Sequence, residues 1–231
     1  MSFDLSQLGA WGSLPFFTDH LPRITDALDA DPRPVYPPQD QVFSALARTQ
    51  PDDVKVVIFG QDPYPQPGKA HGFAFSIPDD FPPRRHRDSL DNIFEELQSD
   101  LGVTRSGSNL EDWADKGVLL FNCLALTVPQ DTAGGHRSLG WKTLTAQVLD
   151  RLQDRPRAYL LWGGDAHKAG RDVGTQTNLV IKSSHPSPMG VHKTGTDYIA
   201  FRGARPFSRT NAWLRTQGLQ PINWGDPETH S

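Results

Sequence analysis

Val54-Lys55-Val56-Val57-Ile58-Phe59, running straight into Gly60-Gln61-Asp62-Pro63-Tyr64-Pro65, is the stretch whose reading decides the fold. The first half is a short, almost continuously apolar run, as expected of a strand buried on both faces of a parallel sheet. The second half is loop chemistry, with Asp62 before Pro63 in a common turn-starting pair. The same unit recurs at Gly117-Val118-Leu119-Leu120-Phe121, Ala158-Tyr159-Leu160-Leu161-Trp162 and Asn178-Leu179-Val180-Ile181. Between these runs lie helical stripes. Leu90, Ile93, Phe94 and Leu97 follow helical spacing, with Asp88 or Ser89 placed to cap. Trp141, Leu144, Val148 and Leu152 make a second stripe. Phe207, Trp213 and Leu214 mark a terminal helix, with Ser208 as its expected cap. Strands alternating with helices predict an α/β fold, a three-layer α/β/α arrangement around a mostly parallel four-stranded sheet.

In such sheets ligands bind where loops leave the carboxyl ends of the strands. The first loop carries Gln61, Asp62 and Tyr64, and the second opens on Asn122 and Cys123. The third carries Gly163, Gly164 and Asp165, and the fourth runs through Ser184 to His185-Pro186-Ser187-Pro188-Met189. An Asp, a Tyr, an Asn and a His are thereby brought to one end of the sheet. Taken singly, Asp62 and His185 read more readily as turn residues before proline, and Phe75 and Asn122 can be read as core and strand-end residues.

The bulk composition narrows the class. The chain has 231 residues, 36% hydrophobic and 22% charged, in the ordinary globular range. No repeat or low-complexity linker divides it, so residues 1–231 are read as one domain. Residues 1–36 form a packed helical start carrying Trp11, Phe16, Phe17, Leu21, Ile24 and Leu28 rather than a targeting peptide. No run is long enough to span a bilayer. The lone Cys123 excludes an internal disulfide and fits a reducing compartment, so the expected location is cytoplasmic, or nuclear or organellar in a eukaryote. A net charge of −4 does not advertise nucleic-acid binding. Local basic runs do exist at Arg84-Arg85-His86-Arg87 and at Arg202, Arg205 and Arg209, and phosphate contact needs only a local patch. One cysteine with scattered histidines rules out a deaminase-type zinc site, and no glycine-rich nucleotide-binding pattern appears. No metal or cofactor is expected.

Five segments, in order, then become informative together: GQDPYP at 60–65, AHGFAFS at 70–76, GVLLFNCLALTV at 117–128, YLLWGGDAHKAG at 159–170 and HPSPMG at 185–190. They resemble the signature segments of family 1 uracil-DNA glycosylases, and the resemblance extends from about Pro37 to the PINW ending at Trp224. It implies a monofunctional enzyme that flips uracil out of single- or double-stranded DNA and hydrolyses its N-glycosidic bond. It also implies a monomer that needs no membrane.

The resemblance extends to the roles of single residues. Asp62 would stabilise a positively charged sugar and orient the attacking water. His185, acting while neutral, would donate a hydrogen bond to the departing base, its tautomer set by neighbours that the sequence does not identify. One carboxylate and one donor suffice because a uracil anion leaves more readily than the alkoxide for which glycoside hydrolases usually need two carboxylates. Asn122 would pair with the uracil edge, which requires its amide to be pinned against flipping. Phe75 would stack on the base, Tyr64 would press on C5 and exclude thymine, and the main chain of Gln61 and Asp62 would add contacts. Ser89 and Ser187 match serines that grip the DNA backbone, and Met189 stands where the family usually has a wedging leucine.

The DNA-facing loops depart from the family pattern. Pro65 replaces a histidine, Gly164 and Gly190 stand where serines are expected, and Lys193 and His192 replace an arginine and a tyrosine. The Pro-rich loop is long and basic through Arg84, Arg85 and Arg87. These arginines are expected to offset the missing serine contacts by phosphate attraction. Two rival readings remain: a glycosylase of broader specificity, against which Tyr64 and Asn122 speak, and a non-catalytic DNA-binding module, against which Asp62 and His185 speak.

Overall fold

The structure, a computed structural model, describes residues 2–82 and 88–226. Its strands are β1 (Val35–Tyr36), β2 (Val56–Gly60), β3 (Val118–Asn122), β4 (Val128–Pro129), β5 (Ala158–Trp162) and β6 (Leu179–Ser183). Its helices are α1 (Phe16–Asp19), α2 (Leu21–Ala30), α3 (Ser44–Arg48), α4 (Ser89–Leu101), α5 (Glu111–Asp115), α6 (Lys142–Arg151), α7 (Gly164–Ala169) and α8 (Pro206–Thr216). The four apolar runs pair as one parallel sheet in the order β3-β2-β5-β6, and β1 and β4 form a separate antiparallel pair. Every residue of β2, β3 and β5 is buried, which is why these runs are apolar throughout rather than alternating. The strand of the first run begins at Val56, two residues into it, and ends at Gly60, where Asn122 still pairs with it. The chain reverses its direction of winding between β2 and β5, so a crevice opens beyond their carboxyl ends.

Helix α4 shows how local sequence sets an element that serves the site. Asp88, not Ser89, is its cap: the Asp88 carboxylate accepts from Leu90 N–H at 2.9 Å, and Asp91 accepts in return from Asp88 N–H at 2.8 Å. Gly102, with φ of 70°, ends it. Its core face buries Leu90, Ile93 and Leu97, and the same helix also buries Asn92, Glu96 and Asp100. These three reach across to other loops. Asn92 donates to the Pro186 carbonyl at 2.7 Å, tying down the segment after His185. Glu96 accepts from the backbone N–H groups of Gly203 and Arg205 at 2.7 and 2.9 Å.

The expected cap of α8 is replaced by one from another element. Ser208 lies inside the helix, and Asp100 accepts from the N–H groups of Phe207 and Ser208 at 2.9 and 2.8 Å. A buried carboxylate thereby satisfies two of the orphan donors at the start of α8 and complements its dipole.

The N-terminal stretch belongs to the same apolar core. Trp11, Phe16, Phe17, Leu21, Ile24 and Leu28 are all buried, and Trp11 Nε1 donates to the Thr49 carbonyl at 2.9 Å. Among the described residues no helix is long and apolar enough to cross a membrane.

Candidate active site

Gly60, Gln61, Asp62, Tyr64, Phe75, Ser89, Asn122 and His185 line one cavity of about 180 Å³ at the carboxyl end of the sheet. That is below the roughly 300 Å³ at which pockets for drug-sized ligands begin, and it suits one small heterocycle. All six residues expected to bind the base or act on it are therefore brought together.

His185 follows β6 at a point where the chain is held firmly. Ser184 N–H donates to the Ile199 carbonyl at 2.8 Å, and Ser184 Oγ accepts from Phe201 N–H at 2.9 Å. The Ser187 N–H donates to His185 Nδ1 at 3.0 Å. A ring nitrogen that accepts carries no proton, so neutral His185 has its proton on Nε2. Burial pushes the imidazole pKa below its ordinary value, against the opposing charges of Asp165 and Asp62. The tautomer is thus set by a neighbour two residues along the same loop. Gly163 is needed here: its φ is 94°, and a Cβ on it would lie 2.9 Å from the His185 Cβ.

Asp62 is held differently. Its side chain is only 7% exposed, and Oδ1 accepts from Arg137 Nη2 at 2.5 Å. Oδ2 is buried without a hydrogen-bond partner among the described residues. An unpaired buried carboxylate oxygen is costly, and such an exception calls for a functional account. Sequence reasoning misses Arg137. It follows His136 in a glycine-rich turn, 75 residues from Asp62, and no local pattern connects the two.

The wall of the cavity is built by the 70–76 segment and the strand ends. His71 Nδ1 faces the Glu111 carboxylate at 3.3 Å, so Nε2 accepts from the Ser76 hydroxyl at 2.7 Å. Ser76 Oγ also accepts from Leu110 N–H at 2.8 Å, locking the segment in place. Phe75 then adopts φ of 65°, an unusual conformation for a bulky residue. Its ring lies 5.5 Å from Trp162 and 5.9 Å from His185. Tyr64 donates its hydroxyl proton to the Phe75 carbonyl at 3.2 Å, and Lys69 Nζ sits 4.2 Å from the Tyr64 ring centre. A rigid aromatic wall results.

Gln61 uses its side chain outside the cavity chemistry, donating to Asp165 at 2.8 Å. Its carbonyl accepts from Leu124 N–H at 2.9 Å, which knits the first and second loops together. Asn122 is buried at the end of β3, and a Cβ on Gly60 would overlap its amide oxygen. The amide makes no hydrogen bond to a described residue, and it is packing against Gly60 that limits its movement. Both its donor and its acceptor remain available to a ligand. Cys123 beside it is inert, since burial pushes its thiol pKa up to about 12.

The residues expected to face DNA are placed in different ways. Ser89 lines the cavity at the start of α4, Met189 is 85% exposed, and Lys193 is exposed. Met189 does not pack on the protein's own surface. The Ser187 N–H is occupied by His185, and its carbonyl accepts from Gly190 and Val191 at 2.8 and 2.9 Å. At Gly164 an added Cβ would meet nothing within 4 Å, so a serine would fit there. At Gly190 a Cβ would lie 2.6 Å from the His185 carbonyl oxygen, so the expected serine has no room in this tighter loop. Arg84, Arg85 and Arg87 lie outside the described residues. The second basic run is engaged internally: Arg202 pairs with Glu95, Arg205 with Asp100 at 3.3 Å, and Arg209 donates to the Ala204 carbonyl at 3.2 Å.

Comparison with known proteins agrees with this geometry. Residues 47–215 match the uracil DNA glycosylase superfamily. The chain is 46% identical over 220 residues to a uracil-DNA glycosylase of Ruegeria sp. (strain TM1040), covering 95% of this chain and 90% of that protein. It is 46% identical over 193 residues to a uracil-DNA glycosylase of Streptococcus pneumoniae (strain Hungary19A-6), covering 82% and 83%. The crystal structure of mimivirus uracil-DNA glycosylase superposes with a TM-score of 0.85 at 25% identity, covering 97% of this chain and 88% of that one. On its fold, its motifs and these relatives, the chain belongs to the uracil DNA glycosylase superfamily.

Proposed function

We propose that this protein removes uracil from DNA by hydrolysing the N-glycosidic bond, leaving an abasic site for base excision repair. The observation that carries this reading is the pairing in one small cavity of a neutral His185, its proton on Nε2, with a buried Asp62 whose Oδ2 has no partner among the described residues. Negative charge grows on the base as the bond breaks, and a preorganised donor stabilises it. Positive charge grows on the sugar, and the Asp62 carboxylate stabilises that. Water adds its oxygen to C1′, the bonding electron pair leaves with the base, and the proton lost by the water passes through Asp62 to solvent.

Base choice follows from the wall. The Asn122 amide oxygen accepts from uracil N3–H and its nitrogen donates to O4, a pattern that cytosine reverses. Phe75 stacks on the extruded base, a contact worth about 1–3 kcal/mol. Tyr64, held at its hydroxyl and over its ring, leaves no space for the C5 methyl of thymine. Ser89, Ser187 and Lys193 contact the DNA backbone, and exposed Met189 enters the vacated stack. The protein acts as a monomer on uracil in single- and double-stranded DNA, in the cytoplasm or in a DNA-bearing organelle. The test offers oligonucleotides containing uracil, or thymine opposite guanine, with divalent metals chelated, and scores abasic sites. Excision of uracil alone supports the proposal. Excision of both bases indicates the broader-specificity enzyme, and excision of neither overturns a glycosylase role.

A further inference from the structure

The ion pair between Asp62 and Arg137 is at odds with the chemistry of Asp62. A carboxylate stabilises a positive sugar through its own field, and a guanidinium 2.5 Å away cancels much of that field and repels the same sugar. Arg137 is also built to leave. Its side chain is 39% exposed against 7% for Asp62, so the cation sits at the rim while the anion sits inside. Its Nε is buried without a partner among the described residues, so the protein does not complete the guanidinium's hydrogen bonds.

The turn that carries Arg137 is, by contrast, anchored. His136 Nε2 donates to Asp31 at 3.2 Å, and His136 Nδ1 accepts from the Thr127 hydroxyl at 3.0 Å. Gly134, with φ of 72°, makes room for the guanidinium, since a Cβ there would lie 2.6 Å from Arg137 Nε. A fixed backbone with a rim-exposed arginine allows the side chain to swing while the loop stays in place.

Resting on the function proposed above, we infer that Arg137 is a positioning residue that DNA releases from Asp62. A phosphodiester flanking the extruded uridine offers the guanidinium a planar, two-oxygen partner that competes with the carboxylate. Transfer of Arg137 from Asp62 to that phosphate grips the DNA and frees the carboxylate in one step. The free enzyme is thereby held in a low-activity state until a phosphate-bearing substrate docks.

The test compares wild type, Arg137→Ala and Arg137→Gln on two short uracil oligonucleotides. One has ordinary linkages, and the other has uncharged methylphosphonate linkages on both sides of the uridine. Wild type is expected to lose activity sharply on the neutral substrate. Both variants are expected to show a raised KM on ordinary DNA, a several-fold higher kcat than wild type on the neutral substrate, and a salt slope of duplex binding lower by about 0.9. Having two variants guards against a folding defect in either, checked by thermal melting. An equal fall in kcat on both substrates, with the salt slope unchanged, shows that Arg137 only orients Asp62 and overturns the inference. Absence of uracil excision by wild type on ordinary DNA would instead overturn the function proposed above.

Discussion

His185 is fixed by a backbone N–H two residues along its own loop, whereas Asp62 is held by a guanidinium 75 residues away. The first contact is uncharged on the donor side, insensitive to salt and set as soon as the loop forms. The second is a charge pair between a buried anion and a half-exposed cation, and it exchanges whenever a better anion arrives. The two groups proposed to act in this one cavity are therefore preorganised to different degrees. The hydrogen-bond donor is locked before substrate binds, and the carboxylate is exposed to regulation by whatever approaches the rim.

The sharpest break in that comparison is Asp62→Asn. It removes the charge while keeping the shape, and kcat in single-turnover cleavage is expected to fall by about 10³-fold, the upper range for losing a preorganised electrostatic group. His185→Ala removes a donor rather than a charge and is expected to cost about 10²-fold in kcat with KM nearly unchanged.

The pH dependence sharpens the same point. Burial holds the His185 pKa below its ordinary 6.5, so the neutral ring persists at pH 6.5, and the acid limb of kcat/KM lies lower than an exposed histidine would place it. For stability the sign is the usual one for a histidine buried neutral. The unfolded chain takes up the proton first, so stability declines as pH falls below 6.5 and stops declining below the folded pKa. His185→Gln should remove both effects, as read by pH-rate profiles and by thermal melting across the same range.

Tyr64→Ala tests the wall against the charges. Excision of thymine should appear where wild type shows none, with the gap between uracil and thymine narrowing by about 10–200-fold, the range for one methyl-sized difference. The smallest effect per residue is expected from the basic run in the Pro-rich segment. Replacing Arg84, Arg85 and Arg87 with alanine should flatten the slope of log affinity against log salt by about 0.9 for each phosphate that is no longer neutralised, and leave kcat on saturating DNA unchanged. An unchanged slope would show that these arginines do not compensate for the altered Gly164 and Gly190 loops.

The site is legible in the sequence where chemistry and position are carried by one contiguous segment. Asp62, Tyr64, Phe75, Asn122 and His185 each sit in a short motif at or near a strand end, and a parallel sheet forces those ends together. Parts that depend on a distant partner are not legible. Ser208 does not cap α8 because Asp100 reaches the same N–H groups from another helix. Arg202 and Arg205 resemble a phosphate patch in sequence, yet Glu95 and Asp100 neutralise them in space. The space at Gly190 cannot be read either, because the obstructing atom is the His185 carbonyl folded back over the loop.

By itself, then, the sequence determined the alternation of buried strands and helices and the set of groups delivered to one end of the sheet. It did so because strand burial and loop chemistry are local properties that backbone sterics and side-chain hydrophobicity impose. Only the tertiary structure decided the state of those groups: which nitrogen of His185 holds the proton, which oxygen of Asp62 has no partner among the described residues, and that Arg137 stands beside it. Protonation and charge pairing depend on atoms a few ångströms away in space, and distance along the chain carries almost none of that information.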